Sequence, residues 1–303
     1  MNHSNTAVPK PWLLLFVTIA AIWGSSFLFM RVAGLEFGVF PSACLRMTIG
    51  ALVMLPLLAG RGLLGQFFAN WKPIFLVSLV NAAMPFACYS FAVLHITTGL
   101  AAILNATVPM FSALVAWLWL GQRLSLLRVI GVALGFAGIA LLVGGQAGLR
   151  GDALWLSVLS ILACLLAALC YGVSGNAIKE RLSHLHPWVI AGGTMLGAAL
   201  WLAVPSLLTM PATMPSAKAW GAMTIVGVLC SAIAFMLYFE LMQRADATKT
   251  MSVTYLIPVF AVIYGVLFLD EHLTPWMLMC AAIIALGTAL ATGLIKRQAP
   301  SAA

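Results

Sequence analysis

Two prolines, Pro109 and Pro258, lie inside long apolar runs of this 303-residue chain. A proline within a helix removes one backbone hydrogen bond and favours a kink, so a nearby carbonyl group needs another partner. Polar side chains precede each proline by a few positions: Asn105, Thr254 and Tyr255. Freed carbonyls beside polar side chains can bind a small solute. The alternative is that the kinks only serve helix packing.

Two aromatic side chains hold matching positions in the first and sixth apolar runs. Trp23 and Tyr171 are each followed by a glycine and, three positions on, by a serine, Ser26 or Ser174. An indole or phenol that faces a cavity can stack on an apolar or aromatic solute and donate one hydrogen bond. Facing a neighbouring helix, the same rings would only pack, and the sequence does not separate these two roles.

Two further residues complete the set of candidate solute-binding side chains, Asn81 and Tyr238. An amide at membrane depth most often forms a hydrogen bond across a helix interface, contributing about 1 kcal/mol. We nevertheless predict that Asn81 lines a cavity. Tyr238 is the counterpart of Tyr89 in the internal repeat described below.

Two charged side chains, Arg46 and Glu240, also fall inside apolar runs. A charge at the centre of a membrane helix costs roughly 2.5–3.5 kcal/mol, so Arg46 needs a partner. Lipid headgroups, carbonyl groups at a helix end and a solute carboxylate are the three candidates. Glu240 precedes Arg244 by four positions, which favours an exposed ion pair on one helix. A coupling role for Glu240 is the alternative.

Residues that could support catalysis or bind a metal are not grouped. The five histidines lie in predicted tails and loops, the six cysteines form no CxxC pair, and no pair of acidic residues lies at membrane depth. Catalysis within a membrane needs paired aspartates, a serine with a base, or an HExxH zinc helix. We therefore expect no catalytic residue, no metal and no cofactor. An intramembrane enzyme is the disfavoured class.

The elements that must position these side chains are membrane helices. Hydrophobic residues make up 63% of the chain and charged residues 7%, with a mean hydropathy of +1.10. A soluble domain carries about 25% charged residues, and about 20 apolar residues span the hydrocarbon core. We predict an all-α integral membrane fold of ten transmembrane helices, at 12–31, 40–58, 72–94, 98–119, 126–144, 153–178, 187–208, 217–243, 249–269 and 275–295.

The formal net charge of +8 comes from basic residues scattered at predicted helix ends, a pattern typical of a topology signal rather than of nucleic-acid binding. With the N-terminus inside, the inner segments hold eleven: Lys10, Arg61, Lys72, Arg123, Arg128, Lys179, Arg181, Arg244, Lys249, Lys296 and Arg297. The outer loops hold three: Arg31, Arg150 and Lys218. This bias predicts an even number of spans with both termini cytoplasmic. The expected location is a bacterial-type inner (plasma) membrane.

The chain also repeats itself. A gapless offset of 149 positions places residues 71–144 on residues 220–293 and aligns prolines, tyrosines and tryptophans. We predict tails at 1–11 and 297–303, helices 1–5 in residues 12–145 and helices 6–10 in residues 153–296. Because each half has an odd number of helices, the halves lie in opposite orientations.

A set of short motifs in order along residues 12–295 resembles the EamA-type drug/metabolite transporter family. The set consists of Trp23-Gly24-Ser25-Ser26-Phe27, Arg46, the two mid-helix prolines, and the linkers Gly121-Gln122-Arg123-Leu124-Ser125 and Asp270-Glu271-His272-Leu273-Thr274. The first linker departs from the family's Gly-Glu pattern at Gln122, while the second keeps Glu271. The resemblance implies two inverted five-helix repeats around a cavity between helices 1, 3, 4, 6, 8 and 9, with helices 5 and 10 peripheral. It also implies export of metabolites, often amino acids.

These observations favour a secondary transporter that works by alternating access around a central cavity. Tryptophan, tyrosine, asparagine and serine side chains without a fixed charge suit a net-neutral solute with apolar bulk, and neutral or aromatic amino acids fit best. A carrier of sugars, nucleotide sugars or drugs is the alternative. Glycines four positions apart, such as Gly131 and Gly135, allow close helix packing within a monomer or a weak homodimer. The expected partners are the solute and membrane lipid.

Overall fold

The computed structural model describes residues 11–122, 124–145, 154–244, 250, 252–272 and 274–294. Residues 1–10 and 297–303 of the predicted tails lie outside these ranges. So do six of the basic residues used for topology: Lys10, Arg123, Arg150, Lys249, Lys296 and Arg297. The described residues form ten long helices joined by short connections. A short helix, Leu64–Ala69, lies between the second and third of them.

The ten helices are α1 (Pro11–Phe37), α2 (Val39–Gly60), α3 (Trp71–His95), α4 (Thr98–Leu120), α5 (Leu126–Gly144), α6 (Leu154–Arg181), α7 (Pro187–Leu208), α8 (Ala217–Arg244), α9 (Val253–Leu269) and α10 (Pro275–Thr292). Within the described ranges, nine of these are long and apolar enough to cross a membrane, and α9, with 17 residues, is shorter. The predicted all-α membrane fold is confirmed.

Local chemistry sets where several helices begin and end. The hydroxyl groups of Thr97, Ser216 and Thr274 each accept a hydrogen bond from a backbone N–H in the first turn of α4, α8 or α10, which satisfies a donor that has no partner within the helix. Gly121 and Asp270 end α4 and α9 in left-handed backbone, with φ of 64° and 51°. These two residues are 149 positions apart, so the two equivalent helices end in the same backbone conformation.

Helix α1 is longer than predicted. It ends at Phe37, so Arg31 lies within the helix and not in an outer loop. Arg31 is buried, and its guanidinium donates to the carbonyl oxygens of Val93 and Ile96 at the end of α3. The C-terminal end of a helix carries partial negative charge and stabilises a cation there. The sequence alone places Arg31 in an outer loop, because the carbonyl groups that bind it are more than 60 positions away.

Helix α4 is interrupted rather than kinked at its proline. Its segments Thr98–Asn105 and Val108–Leu120 are separated by two residues, and Pro109 lies in the first turn of the second segment. Proline is tolerated there because its missing N–H would have no partner within the helix. This corrects the prediction that Pro109 kinks a continuous helix. Pro258, in contrast, lies inside α9 as predicted.

Two helices contain a π-helical turn at equivalent positions. Leu79–Ala83 in α3 and Val228–Ile233 in α8 are π-helical, and the offset of 149 aligns their first residues. A π-helical turn widens the helix locally and is frequent at functional sites. Asn81 belongs to the first turn, and Ser231 of the second turn forms a hydrogen bond with Arg46.

Helices α5 and α10 pack closely on each other. A Cβ atom added at Gly287 of α10 would lie 2.8 Å from the backbone oxygen of Gly131 and from the Cα of Gly135 in α5. Only glycine allows the two backbones to approach this closely. Elsewhere α2 packs on α7, α1 on α9, and both α3 and α4 on α6. This arrangement leaves α5 and α10 at the side of the bundle.

Candidate functional site

A cavity of about 460 Å³ lies between the helices. Described residues of eight helices, α1 to α4 and α6 to α9, form the wall of this cavity. The resemblance implied six of these helices, and the structure adds α2, through Arg46, and α7, through residues such as Ile190 and Thr194. The volume falls within the roughly 300–1,000 Å³ that is usual for small-molecule sites.

The cavity is displaced toward one end of the bundle. At that end the wall reaches Ile178, Met242 and Thr254, which lie within a turn of the ends of α6, α8 and α9. At the other end the wall stops at Met30 and Arg46, each seven residues from a helix end. Seven residues correspond to about 10 Å of helix. We call the first end the mouth and the second the closed end.

Hydrogen bonds between helices hold the closed end together. The carboxylate of Glu271 accepts from the backbone N–H and the hydroxyl of Thr98, both at 2.9 Å, and from the backbone N–H of Gly99 at 3.3 Å. The carboxylate of Glu36 accepts from the backbone N–H and hydroxyl of Ser216 at 2.6 and 2.7 Å. Each acid therefore caps the first turn of a helix, where the N-terminal partial charge is positive. These contacts join α9 to α4 and α1 to α8.

Most of the predicted solute-binding residues share this cavity. Its wall includes Trp23, Ser26, Asn81, Asn105, Tyr171, Ser174, Tyr238 and Thr254. Side chains from both halves of the sequence, up to 231 positions apart (254 − 23), thus meet in one place.

The structure places Pro109, Tyr255 and Pro258 away from the cavity wall, which corrects the prediction that they line it. Thr254 and Ile257, three residues apart, share the face of α9 that borders the cavity. Tyr255 lies about 100° around the helix, and its hydroxyl is 3.4 Å from the hydroxyl of Thr292 in α10. The two prolines thus alter the backbone of α4 and α9, and neighbouring residues provide the side chains of the cavity wall.

Aromatic rings form two groups on the wall. Trp23 lies 5.2 Å from Tyr238 and 5.8 Å from Phe235, measured between ring centroids. Tyr171 lies 6.4 Å from Tyr89 and 6.4 Å from Phe86. These spacings are those of favourable aromatic pairs. The wall can therefore stack a flat or apolar solute from two sides.

Polar side chains connect the helices around the cavity. The hydroxyl of Ser174 donates to Oδ1 of Asn81 at 3.1 Å, and Nδ2 of Asn81 donates to the hydroxyl of Thr194 at 3.3 Å. Elsewhere on α3, the hydroxyl of Tyr89 donates to Oδ1 of Asn105 at 2.8 Å. Asn81 belongs to the π-helical turn of α3. The network links α3 with α4, α6 and α7 and fixes the amides for binding.

The charged candidates have different surroundings. Arg46 is 4% exposed and lines the cavity. Its Nε donates to the hydroxyl of Ser231 at 3.0 Å, and its guanidinium carbon lies 3.9 Å from the ring centroid of Phe86. Glu240 is outside the cavity wall and forms the predicted ion pair with Arg244, at the surface of α8. The cavity therefore carries a positive charge, in contrast to the expectation that its side chains have no fixed charge.

Four phenylalanines and a tyrosine on the wall were not among the predicted site residues: Phe27, Phe86, Tyr89, Phe235 and Phe239. A signal for three of them exists in the internal repeat. Phe86 and Tyr89 align with Phe235 and Tyr238, so both halves place a Phe-x-x-Tyr segment on the cavity wall. Helical spacing of three keeps both rings on one face.

The fold and the cavity together define a class: a multi-pass membrane protein with room for a small molecule among its helices. The sequence matches the EamA-like transporter family at residues 10–144 and again at residues 158–293. The chain therefore belongs to this family of membrane transporters, and the resemblance seen in its motifs is confirmed. The two matches correspond to two five-helix repeats in opposite orientations.

Relatives support the same classification. The chain is 26% identical over 297 residues to "Uncharacterized transporter YvbV" of Bacillus subtilis, covering 96% of this chain and 93% of that one. It is 27% identical over 279 residues to a protein of Streptantibioticus cattleyicolor named "Probable terminal-alkyne amino-acid exporter", covering 90% and 89%. A solved crystal structure with 23% identity has a TM-score of 0.64 over 93% of this chain and 96% of that one. This last similarity concerns the fold.

Proposed function

We propose that this transporter exports neutral amino acids with apolar or aromatic side chains by alternating access. One observation carries the proposal: a cavity of about 460 Å³ that combines aromatic rings with amide and hydroxyl groups and is closed at one end. An aromatic wall suits an apolar side chain, and a few fixed polar groups suit the amino acid backbone. The Streptantibioticus relative whose name includes "amino-acid exporter" gives additional support.

The mouth of the cavity faces the cytoplasm in this proposal, in a bacterial inner membrane with both termini inside. The described basic residues near the mouth include Lys179 and Arg181 in the last turn of α6 and Arg244 in the last turn of α8. Basic residues at helix ends favour the cytoplasmic side. A cavity open to the cytoplasm is the state in which an exporter takes up its solute.

Export requires that the closed end opens while the mouth closes. The five-helix halves are inverted, so each has an equivalent part at the other side of the membrane. Rocking of the halves would separate the contacts of Glu271 with Thr98 and of Glu36 with Ser216. The solute site stays between the halves throughout this exchange.

Counterflow in proteoliposomes tests the proposal. Purified protein is reconstituted, the vesicles are loaded with one unlabelled solute, and entry of the same labelled solute is measured for L-phenylalanine, L-leucine, D-glucose and a lipophilic cation. We expect exchange of the two amino acids well above that of protein-free vesicles. Exchange of glucose or the cation without exchange of either amino acid would contradict the proposal.

A further inference from the structure

Arg46 is a buried cation on the wall of the cavity, at its closed end. Its side chain is 4% exposed. A guanidinium removed from water is costly unless an anion or several hydrogen-bond acceptors surround it. In the described part of the chain, Arg46 contacts only uncharged groups: the hydroxyl of Ser231, the sulfur of Met30 at 2.9 Å and the ring of Phe86. The charge is therefore only partly compensated by the protein.

The acidic residues in the described part of the chain lie elsewhere. Glu36 and Glu271 bind helix starts at the closed end, and Glu240 pairs with Arg244. Glu180 and Asp270 are exposed at the ends of α6 and α9. The described cavity wall contains no Asp or Glu side chain. Among the described residues there is thus no anion for Arg46, and the cavity beside it has room for one.

The guanidinium retains donors for such an anion. Arginine has five N–H groups in one plane. Nε is bound to Ser231, and Nη1 contacts the Met30 sulfur, whereas Nη2 has no acceptor within the described residues. Two neighbouring N–H groups of a guanidinium match the two oxygens of a carboxylate. Arg46 thus has a free edge suited to a carboxylate.

The surrounding structure holds the guanidinium in place. Ser231 lies in the π-helical turn of α8, and its hydroxyl donates to the carbonyl of Val226 at 3.0 Å while it accepts from Arg46. Phe86 covers one face of the guanidinium at 3.9 Å, a favourable cation–π distance. A donor fixed by supporting contacts binds its ligand with a smaller entropic cost. The π-helical turn therefore has a specific role, because it brings Ser231 to the arginine.

We propose that Arg46 binds the carboxylate of the transported solute, so that the cavity selects molecules that combine a carboxylate with apolar bulk. This inference rests on the proposed function and names the group by which the solute is recognised. The amino group of an amino acid meets no acidic partner on the described wall, only ring faces such as those of Trp23 and Tyr238 and amide or hydroxyl oxygens. The carboxylate is required, and the amino group is not.

Four compounds with the same phenyl group separate these requirements: L-phenylalanine, 3-phenylpropionate, L-phenylalaninamide and phenethylamine. The first two carry a carboxylate, and the last two do not. Each compound competes with labelled L-phenylalanine for counterflow, and each is tested for thermal stabilisation of the purified full-length protein. We expect the two carboxylates to bind at least about tenfold more tightly than the two amines. Equal binding of L-phenylalanine and its amide would overturn the inference.

Substitutions test whether Arg46 is responsible. Arg46→Gln should remove the preference for carboxylates, and Arg46→Lys should recover part of it, because lysine keeps the charge but lacks the paired donors. Arg244→Gln, which removes a positive charge outside the cavity, should keep the full preference. A carboxylate preference that persists in Arg46→Gln would contradict the inference. The wild-type compound series decides the question if Arg46→Gln does not fold.

The same experiment distinguishes this inference from the proposed function. If L-phenylalanine is exchanged but binds no more tightly than its amide, the role of Arg46 is refuted and the proposal of amino acid export stands. Binding of 3-phenylpropionate that depends on Arg46, without exchange of any amino acid, would refute amino acid export and support the carboxylate site.

Discussion

Glu271 and Thr98, which are 173 positions apart, form a double hydrogen bond across the interface between the two halves of the chain. The acid follows α9, and the threonine begins α4. The bonds lie at the closed end of the cavity, so they stabilise the state in which this end is sealed. Removal of these hydrogen bonds should therefore destabilise the sealed conformation more than it destabilises any individual helix.

Glu271→Gln should therefore lower the stability of the protein in detergent. The variant loses the charge that faces the start of α4 and part of its hydrogen bonding, a change of about 1–3 kcal/mol. The measurement is the unfolding temperature by tryptophan fluorescence. Glu180→Gln, at an exposed position in the last turn of α6, is the control and should change little. Equal effects of the two substitutions would show that the contact with Thr98 does not stabilise the fold.

Trp23→Ala and Tyr171→Ala should each reduce L-phenylalanine counterflow by about tenfold while expression stays normal. Both side chains border the cavity and contact other wall rings. Trp119→Ala is a matched control, because Trp119 lies on α4, is 44% exposed and is not part of the cavity wall. Wild-type rates of counterflow in both cavity variants would show that these aromatic side chains do not contribute to solute binding.

Gly287→Ala should destabilise the packing of α5 on α10. The added methyl group would lie 2.8 Å from a backbone oxygen of α5, and overpacking of this kind costs about 1–3 kcal/mol. The yield of monodisperse protein and its unfolding temperature are the measurements. Gly221→Ala in α8, where the new methyl group meets nothing within 4 Å, should be neutral or slightly stabilising. A drop of equal size at both positions would show that the close contact with α5 is not the cause of the destabilisation.

Gln122 and His272 should be accessible from opposite sides of the membrane. Glu271, next to His272, contacts the first residue of α4, whereas Gln122 follows the last, and 23 helical residues span about 35 Å. Cysteines introduced at these two positions are treated with an impermeant maleimide in intact cells and in inverted vesicles. We expect His272→Cys to react in cells and Gln122→Cys in inverted vesicles. Reaction of both in the same preparation would refute the inverted topology.

The number of helices and most of their limits could be predicted because apolar runs and polar breaks are one-dimensional signals. The end of α1 could not, because Arg31 satisfies its charge with carbonyl groups of α3 more than 60 positions away. The break in α4 before Pro109 was missed for a related reason, since a proline shows that the helix is disturbed but not on which side. Local patterns thus identify the helices and leave their distant partners unknown.

The faces of the helices were harder to predict than their limits. In a membrane helix that is apolar all round, the sequence gives little indication of which side meets lipid and which meets a cavity. Polar residues such as Asn81 and Asn105 mark the cavity side, whereas Phe86 looks like any packing residue. The partner of Arg46 stayed open because the family resemblance places helix 2 outside the cavity, whereas the long side chain of Arg46 reaches the cavity from there.

The hydrogen bonds between Glu271 and Thr98 have no equivalent in the other half of the sequence. The counterpart of Glu271 under the offset of 149 is Gln122, and the counterpart of Thr98 is Ala247, so neither the carboxylate nor the hydroxyl recurs. In the proposed transport cycle, this difference predicts that the carrier without solute favours the conformation in which Glu271 binds Thr98. We expect the release of this contact to limit the rate of the cycle.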